Sequence, residues 1–190
     1  MYFNYLSIFI LFLFFSCKQE PTSIDVFTKH KVSYEHKKIV SAKNGFSLEV
    51  PKNWTTKDEE YDYKNILDNI KVYSPANKDG FISILSVEKV KSFKGSKSII
   101  DNFNVFLKLV EKNKWTLIDS GKSSLLKSTS YFIHYKTDTG TEAESESVVF
   151  IMDSGEEGVF YYLNAGGSQS ESLEKEIALM LDIFSTFKKV

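Results

Sequence analysis

The sequence predicts an α+β fold, in which an antiparallel β-sheet of six to eight strands is sandwiched by helices. Three observations carry that expectation. Short runs alternating apolar and polar residues recur along the chain, as half-buried strands require. Turn chemistry separates them, with Asn44-Gly45, Asp119-Ser120-Gly121, Asp138-Thr139-Gly140 and Gly155-Glu156-Glu157-Gly158 between the runs. Two well-separated stretches instead carry apolar residues at helical spacing.

Residues 1–16 contain no charged side chain, and Ile8 to Phe15 form an apolar run that stops at Ser16-Cys17. A spanning helix needs about 20 apolar residues, so this length reads as a secretory signal. Phe14-Phe15-Ser16-Cys17 resembles a bacterial lipobox, which implies cleavage before Cys17 and acylation of that residue, the only cysteine in the chain. Phe14 stands where the lipobox usually has Leu, and no Lys or Arg precedes the run. Lys18 follows the cysteine where an inner-membrane retention signal by proteobacterial resemblance would have Asp. The expectation is therefore a lipid anchor in the outer membrane of a bacterial envelope. Residues 17–37, of mixed charge and little periodicity, are expected to be a flexible tether, and residues 38–190 the domain.

Within the domain, Ile39 to Lys43 and Phe46 to Val50 flank Asn44-Gly45 as a hairpin. Phe46, Leu48 and Val50 alternate with Ser47 and Glu49, Pro51 stops the strand, and Trp54 is expected as a lid on the core. Residues 55–68 are polar, with a helical turn expected near Tyr63 to Leu67. Strands are expected at 70–74 and 81–88. Ser96 or Ser98 opens a helix to about Asn113, striped by Ile99, Phe103, Phe106, Leu107 and Val110. Further strands are expected at 115–118, 123–126, 131–137, 145–152 and 159–165, the last broken by Gly166-Gly167. Ser168 with Glu171 has capping-box spacing for a final helix over 169–188, with Leu173, Ile177, Met180, Leu181, Phe184 and Phe187 on its apolar face.

Composition narrows the function classes. The 190 residues carry a net charge of −1, and all 24 basic residues are lysines. There is no basic footprint for nucleic acid and no guanidinium fork for bidentate phosphate capture. A single cysteine excludes a disulfide framework and a multi-cysteine metal centre. No Gly-rich phosphate cradle or nucleophile elbow is present, and no cofactor is expected.

Asn44-Gly45-Phe46-Ser47-Leu48-Glu49-Val50-Pro51-Lys52-Asn53-Trp54 resembles the opening of PsbP-like domains, and Phe184-Ser185-Thr186-Phe187 is similar to the end of that family's last helix. The likeness covers roughly residues 38–190. It implies the α/β sandwich of the photosystem II extrinsic protein and of envelope lipoproteins such as DcrB, and a non-enzymatic accessory or binding role. The implied partner is an envelope protein or a small ligand.

The candidate chemistry is thin. Asp138-Thr139-Gly140 matches the aspartic-protease triplet, which needs two carboxylates sharing a proton. With one copy, a hydrolase acting through Asp138 would have to be dimeric, and a hairpin turn is the simpler reading. Glu142, Glu144 and Glu146 share a strand face near Asp153, Glu156 and Glu157, so a weak cation site is conceivable, but a solvated face is the expectation. Asp58, Glu59, Glu60 and Asp62 read as an acidic loop. His30 and His36 fall in the tether, and His134 stands alone in a strand, too few for a metal site.

Overall fold

In the computed structural model, residues 21–41, 45–58, 64–92, 95–137 and 144–190 are described. In chain order they form α1 (Ser23–Phe27), β1 (His36–Ser41), β2 (Phe46–Pro51), β3 (Thr55–Asp58), β4 (Ile66–Tyr73), β5 (Ile84–Lys91), α2 (Ile99–Lys112), β6 (Thr116–Ser123), β7 (Ser130–Thr137), β8 (Ser145–Asp153), β9 (Val159–Ser168), α3 (Leu173–Ser185) and β10 (Lys188–Lys189). The strands build two antiparallel sheets, one of three strands in the order β1-β2-β10 and one of seven in the order β3-β4-β5-β9-β8-β7-β6. The α+β class is the one expected.

The alternation of the central strands generates two cores. Val148, Phe150 and Met152 of β8 and Tyr161, Leu163 and Ala165 of β9 face α3; Val149, Ile151, Phe160 and Tyr162 face α2. Ile177, Met180, Leu181 and Phe184 of α3 are fully buried between the large sheet and β2, whose Phe46, Leu48 and Val50 close the far side. Phe46 lies 5.4 Å from Phe187 and 5.9 Å from Tyr161, so the two sheets and the chain end meet through aromatic rings. Trp54 is buried in the same core. α2 starts where expected: the Ser98 side chain accepts from the Asp101 N–H, satisfying one of the donors left free at a helix start.

The expected flexible tether is corrected where the structure describes it. Thr22 and Asp25 form a reciprocal capping box that starts α1, and Ile24 and Phe27 bury themselves in the α3-side core. Val32 and Tyr34 pack against it too. A five-residue helix is too short to show a period, and its two buried apolar residues gain meaning only from the surface they meet. The polar stretch 55–68 likewise holds no helical turn over residues 64–67: it gives β3 and the start of β4, with Thr56 paired to Val72 and Asp58 to Ile70.

Three further boundaries differ. Residues 116–123 are one strand, and residues 124–127 turn, with Lys127 at φ 55°. Gly166 and Gly167 continue β9 rather than breaking it. A Cβ at Gly166 would sit 2.6 Å from the Ser147 hydroxyl, and one at Gly167 only 3.1 Å from Leu173, so these glycines permit close approach. Ser168 therefore ends a strand, and α3 begins only at Leu173, with the Ser172 hydroxyl donating to Glu176. The chain end, expected as helix to 188, leaves α3 at Thr186 and adds β10 beside Ser47 and Phe46. The large sheet has seven strands, within the six to eight expected, and β1, β2 and β10 form a second sheet of three.

Candidate functional site

Strand register places a polar row on the half of the large sheet that α2 leaves open. Lys71, Ser86 and Asn164 are paired across β4, β5 and β9, and Ile84, Gly166 and Ser147 form the next row; on the other side of the first row come Asn69, Glu88 and Tyr162, where Asn69 is buried and Tyr162 meets Asn102 and Phe106 of α2. Residues paired in this way share a face, here the α2 side. α2 and the segment after it cover the other half: Phe103 meets Tyr131 at 5.0 Å, Phe106 meets Tyr135 at 5.9 Å, and Trp115 stacks on Tyr135 at 5.0 Å. What remains is a recess of about 380 Å³ whose walls include Lys71, Ser86, Glu88, Ser147 and Asn164, with the exposed Ile82 and Ile84 at its rim.

The polar groups of this region are not internally balanced. The Asn164 Oδ1 is buried without a hydrogen-bond partner among the described residues, as are both side-chain polar atoms of Asn69, which pairs with Glu88 in the strand register. A buried polar group left unpaired costs about 1–3 kcal/mol, and a bound polar molecule can supply the missing partner. Burial pushes the Glu88 carboxyl above its ordinary value, and the Lys71 ammonium and Ser86 hydroxyl offset only part of that. Burial also raises the Tyr135 and Tyr162 hydroxyls, with the Glu88 charge adding to it. The recess thus offers the Ser86 and Ser147 hydroxyls and the Asn164 amide beside the Lys71 ammonium, the Glu88 carboxyl and two isoleucines.

Glu88 should cost the protein stability at neutral pH. Its folded value lies above its unfolded one, so its contribution is full below the ordinary glutamate value of about 4.3 and is lost as pH rises through the folded value. Glu88→Gln keeps the shape and removes the charge. The variant is expected to melt above wild type at pH 7 and level with it at about pH 3.5. Equal melting temperatures at both pH values would refute the assignment.

A second polar cluster lies on the opposite face. The Glu146 carboxylate is 2.7 Å from His134 Nε2 and 3.3 Å from Lys136 Nζ, with only 12% of the Glu146 side chain and 4% of the His134 side chain exposed. Burial alone would raise the Glu146 carboxyl, but the hydrogen bond and charge of His134, helped by Lys136, hold it below its ordinary value. Phe27 of α1 meets the His134 ring edge-on at 5.4 Å. The pair therefore fastens α1 to the sheet.

This arrangement changes the reading of the acidic face. Glu146 points at His134 and Lys136, Glu144 is exposed, and Glu142 lies outside the described residues. Glu156 pairs with Lys89, Glu157 with Lys97, and Asp153 accepts from the Gly155 N–H. Asp58 ends β3, whereas Glu59, Glu60 and Asp62 lie outside the described residues. No group of three or more potential metal ligands occurs among the described residues. His30 reaches Glu174 of α3 at 2.8 Å and His36 reaches Glu49 at 3.5 Å, so the two do not converge. Asp138 and Cys17 both lie outside the described residues.

The recess residues escaped the sequence reading. One signal was present: Asn164 interrupts the otherwise apolar run from Val159 to Ala165, and a lone amide in such a run marks a site where the burial is shared with something polar.

No protein-family model matches the chain, and no curated protein matches it in sequence. Among solved structures it is similar to the cyanobacterial PsbP (CyanoP) from Synechocystis sp. PCC 6803, with a TM-score of 0.54 and 15% identity over 84% of this chain and 95% of that one. The fold is PsbP-like. The Ran-binding protein Mog1p of Saccharomyces cerevisiae is similar too, with a TM-score of 0.53 and 11% identity over 83% of this chain and 97% of that one. At such identities the likeness is one of architecture. The PsbP-like fold implied by residues 44–54 and 184–187 is the observed one.

Proposed function

We propose that the protein is a non-catalytic lipoprotein of the bacterial envelope, anchored in the outer membrane through acylated Cys17, that holds a small polar ligand in the recess between β4, β5, β9 and β8. The observation that carries the binding part is the open recess with Asn164 in its wall, a residue whose Oδ1 is buried without a partner among the described residues. The PsbP-like scaffold supports it, since Mog1p is itself a Ran-binding protein. The lipobox-like Phe14-Phe15-Ser16-Cys17 supports the anchor.

Each part has its own test. A ligand that binds only the folded state stabilises it by about 2.7 kcal/mol at a hundred times its Kd. Thermal unfolding of the full-length protein in detergent, with and without the low-molecular-weight fraction of an envelope extract, should show a rise for wild type. Asn164→Leu should show none, while its ligand-free melting temperature rises because an unpaired acceptor is gone. Equal shifts in both proteins would sink the recess as the site. For the anchor, metabolic fatty-acid labelling should mark wild type and not Cys17→Ser, and the variant should leave the membrane fraction. One acyl chain binds marginally whereas two or more hold stably, so the change should be near complete. Unchanged retention would show that Cys17 is incidental.

A further inference from the structure

The structure fixes where the anchor would meet the domain. The Ser23 backbone N–H donates to the Asp119 carboxylate at 2.7 Å, and Thr22, Asp25, Lys122 and Ser123 line one cleft, so α1 begins against β6, an edge strand of the large sheet. Cys17 stands six residues before Ser23. A chain reaches at most about 3.6 Å per residue, which keeps an acylated Cys17 within roughly 20 Å of β6.

That edge has the composition of a membrane-contacting surface. Leu117 and Ile118 of β6 are 47% and 42% exposed. Ile118 falls at the register irregularity between Leu117 and Asp119, where one residue of β6 is left without a partner on β7. An apolar groove lined by Leu107, Val110, Trp115 and Leu117 continues the face along α2. Lys108, Lys112 and Lys114 are exposed beside it and form no ion pair among the described residues, with Glu111 the acidic residue between them. Asp119 is engaged by the Ser23 and Ser120 N–H groups.

Resting on the proposed anchor at Cys17, we infer that the β6–α2 edge docks on an anionic bilayer surface, with Leu117 and Ile118 entering the head-group region and Lys108, Lys112 and Lys114 facing acidic lipid. The length of chain between anchor and β6 selects this edge, and the lysines select the lipid charge. β8, β9, β5 and β4, whose residues line the recess, lie two to five strands away, so at about 4.8 Å per strand the recess spans about 10–24 Å from the edge. Anchor, docking edge and recess then lie in order along one direction across the sheet.

Because Cys17 is the only native cysteine and is blocked by acylation, single-cysteine probes can test the orientation. Full-length Leu117→Cys, Ile118→Cys and Ile84→Cys proteins carry an environment-sensitive fluorophore in vesicles of phosphatidylethanolamine and phosphatidylglycerol containing a lipid quencher, with acylation checked by mass. The probes at 117 and 118 should shift to the blue and be quenched, and the probe at 84 should do neither. Lys108→Glu with Lys112→Glu and Lys114→Glu should abolish the quenching at 117 while the acylated protein stays with the vesicles. An unacylated Cys17 overturns the anchor and the orientation together. An acylated protein whose probes at 117 and 84 respond alike leaves the anchor standing and overturns the orientation. A blue shift at 117 without lipid quenching, with a doubled mass, overturns it in favour of a second copy covering the edge.

Discussion

Phe150→Ala is expected to remove about 3–5 kcal/mol of unfolding free energy. Phe150 is fully buried at the middle of β8, its ring 6.3 Å from Phe132 on the same sheet and 6.0 Å from Phe184 of α3. It therefore touches both layers of the larger core. Truncation leaves a cavity that neither the paired strands nor a helix held by Ile177, Met180 and Leu181 can close. Domains of this kind are stable by about 5–15 kcal/mol, so the loss is a large share of the total. Urea unfolding should show a lower midpoint with an unchanged slope. Val40→Ala, at a side chain 54% exposed on β1, should stay within about 0.5 kcal/mol of wild type. A Phe150→Ala loss under about 1 kcal/mol would mean that α3 does not pack on the sheet as described.

Glu146→Ala should be nearly as damaging, by about 3 kcal/mol, because it leaves the buried His134 ring without its 2.7 Å partner. The effect has a pH signature. The Glu146 carboxyl is held below its ordinary value, so its stabilisation is complete above about pH 4.3 and is lost as pH falls through the lower folded-state value. Wild-type and variant stabilities measured by urea unfolding should differ most near neutrality and converge in acid. A difference that stays constant down to about pH 2.5 would remove the ion pair from the explanation. Since Phe27 packs on His134, amide exchange in α1 should also quicken in the variant.

These two residues illustrate how much of the fold was legible. Phe150 sits in Val148 to Met152, an apolar run whose strand character, length and turn signals were plain in the sequence, and the stripe from Leu173 to Phe187 identified its helical partner. Both follow from local periodicity. What periodicity does not encode is which distant segment a short element meets. α1 has two buried apolar residues, and the His134, Asp119 and α3 surfaces make them a docked helix. β3 is built of Thr55, Thr56, Lys57 and Asp58, and its strand form comes from β4 lying beside it. Gly166-Gly167 reads as a break by propensity, yet the approach of Ser147 and Leu173 requires glycine within a continuous strand.

The candidate site was less legible for the same reason. Lys71, Ser86 and Asn164 come from three strands whose neighbours in space are set by the order β4-β5-β9, and β5 and β9 are far apart in sequence. Alternation indicates that Ser86 and Glu88 share a face opposite Leu85 and Val87. It does not indicate that α2 stops short of covering that face. Alternation puts Glu142, Glu144 and Glu146 on one strand face and suggests a solvated acidic row, whereas the register gives Glu146 to His134 and Lys136 on β7.

Native mass spectrometry of the full-length protein, released from membranes of its host, tests the central claim most directly. Wild type should carry an additional small-molecule mass that dissociates on activation, and Asn164→Leu, folded by the same thermal criterion, should lack it, because the recess wall then loses the Asn164 amide. A wild-type protein without any bound small molecule, or a bound mass retained equally in Asn164→Leu, would contradict the recess as the binding site.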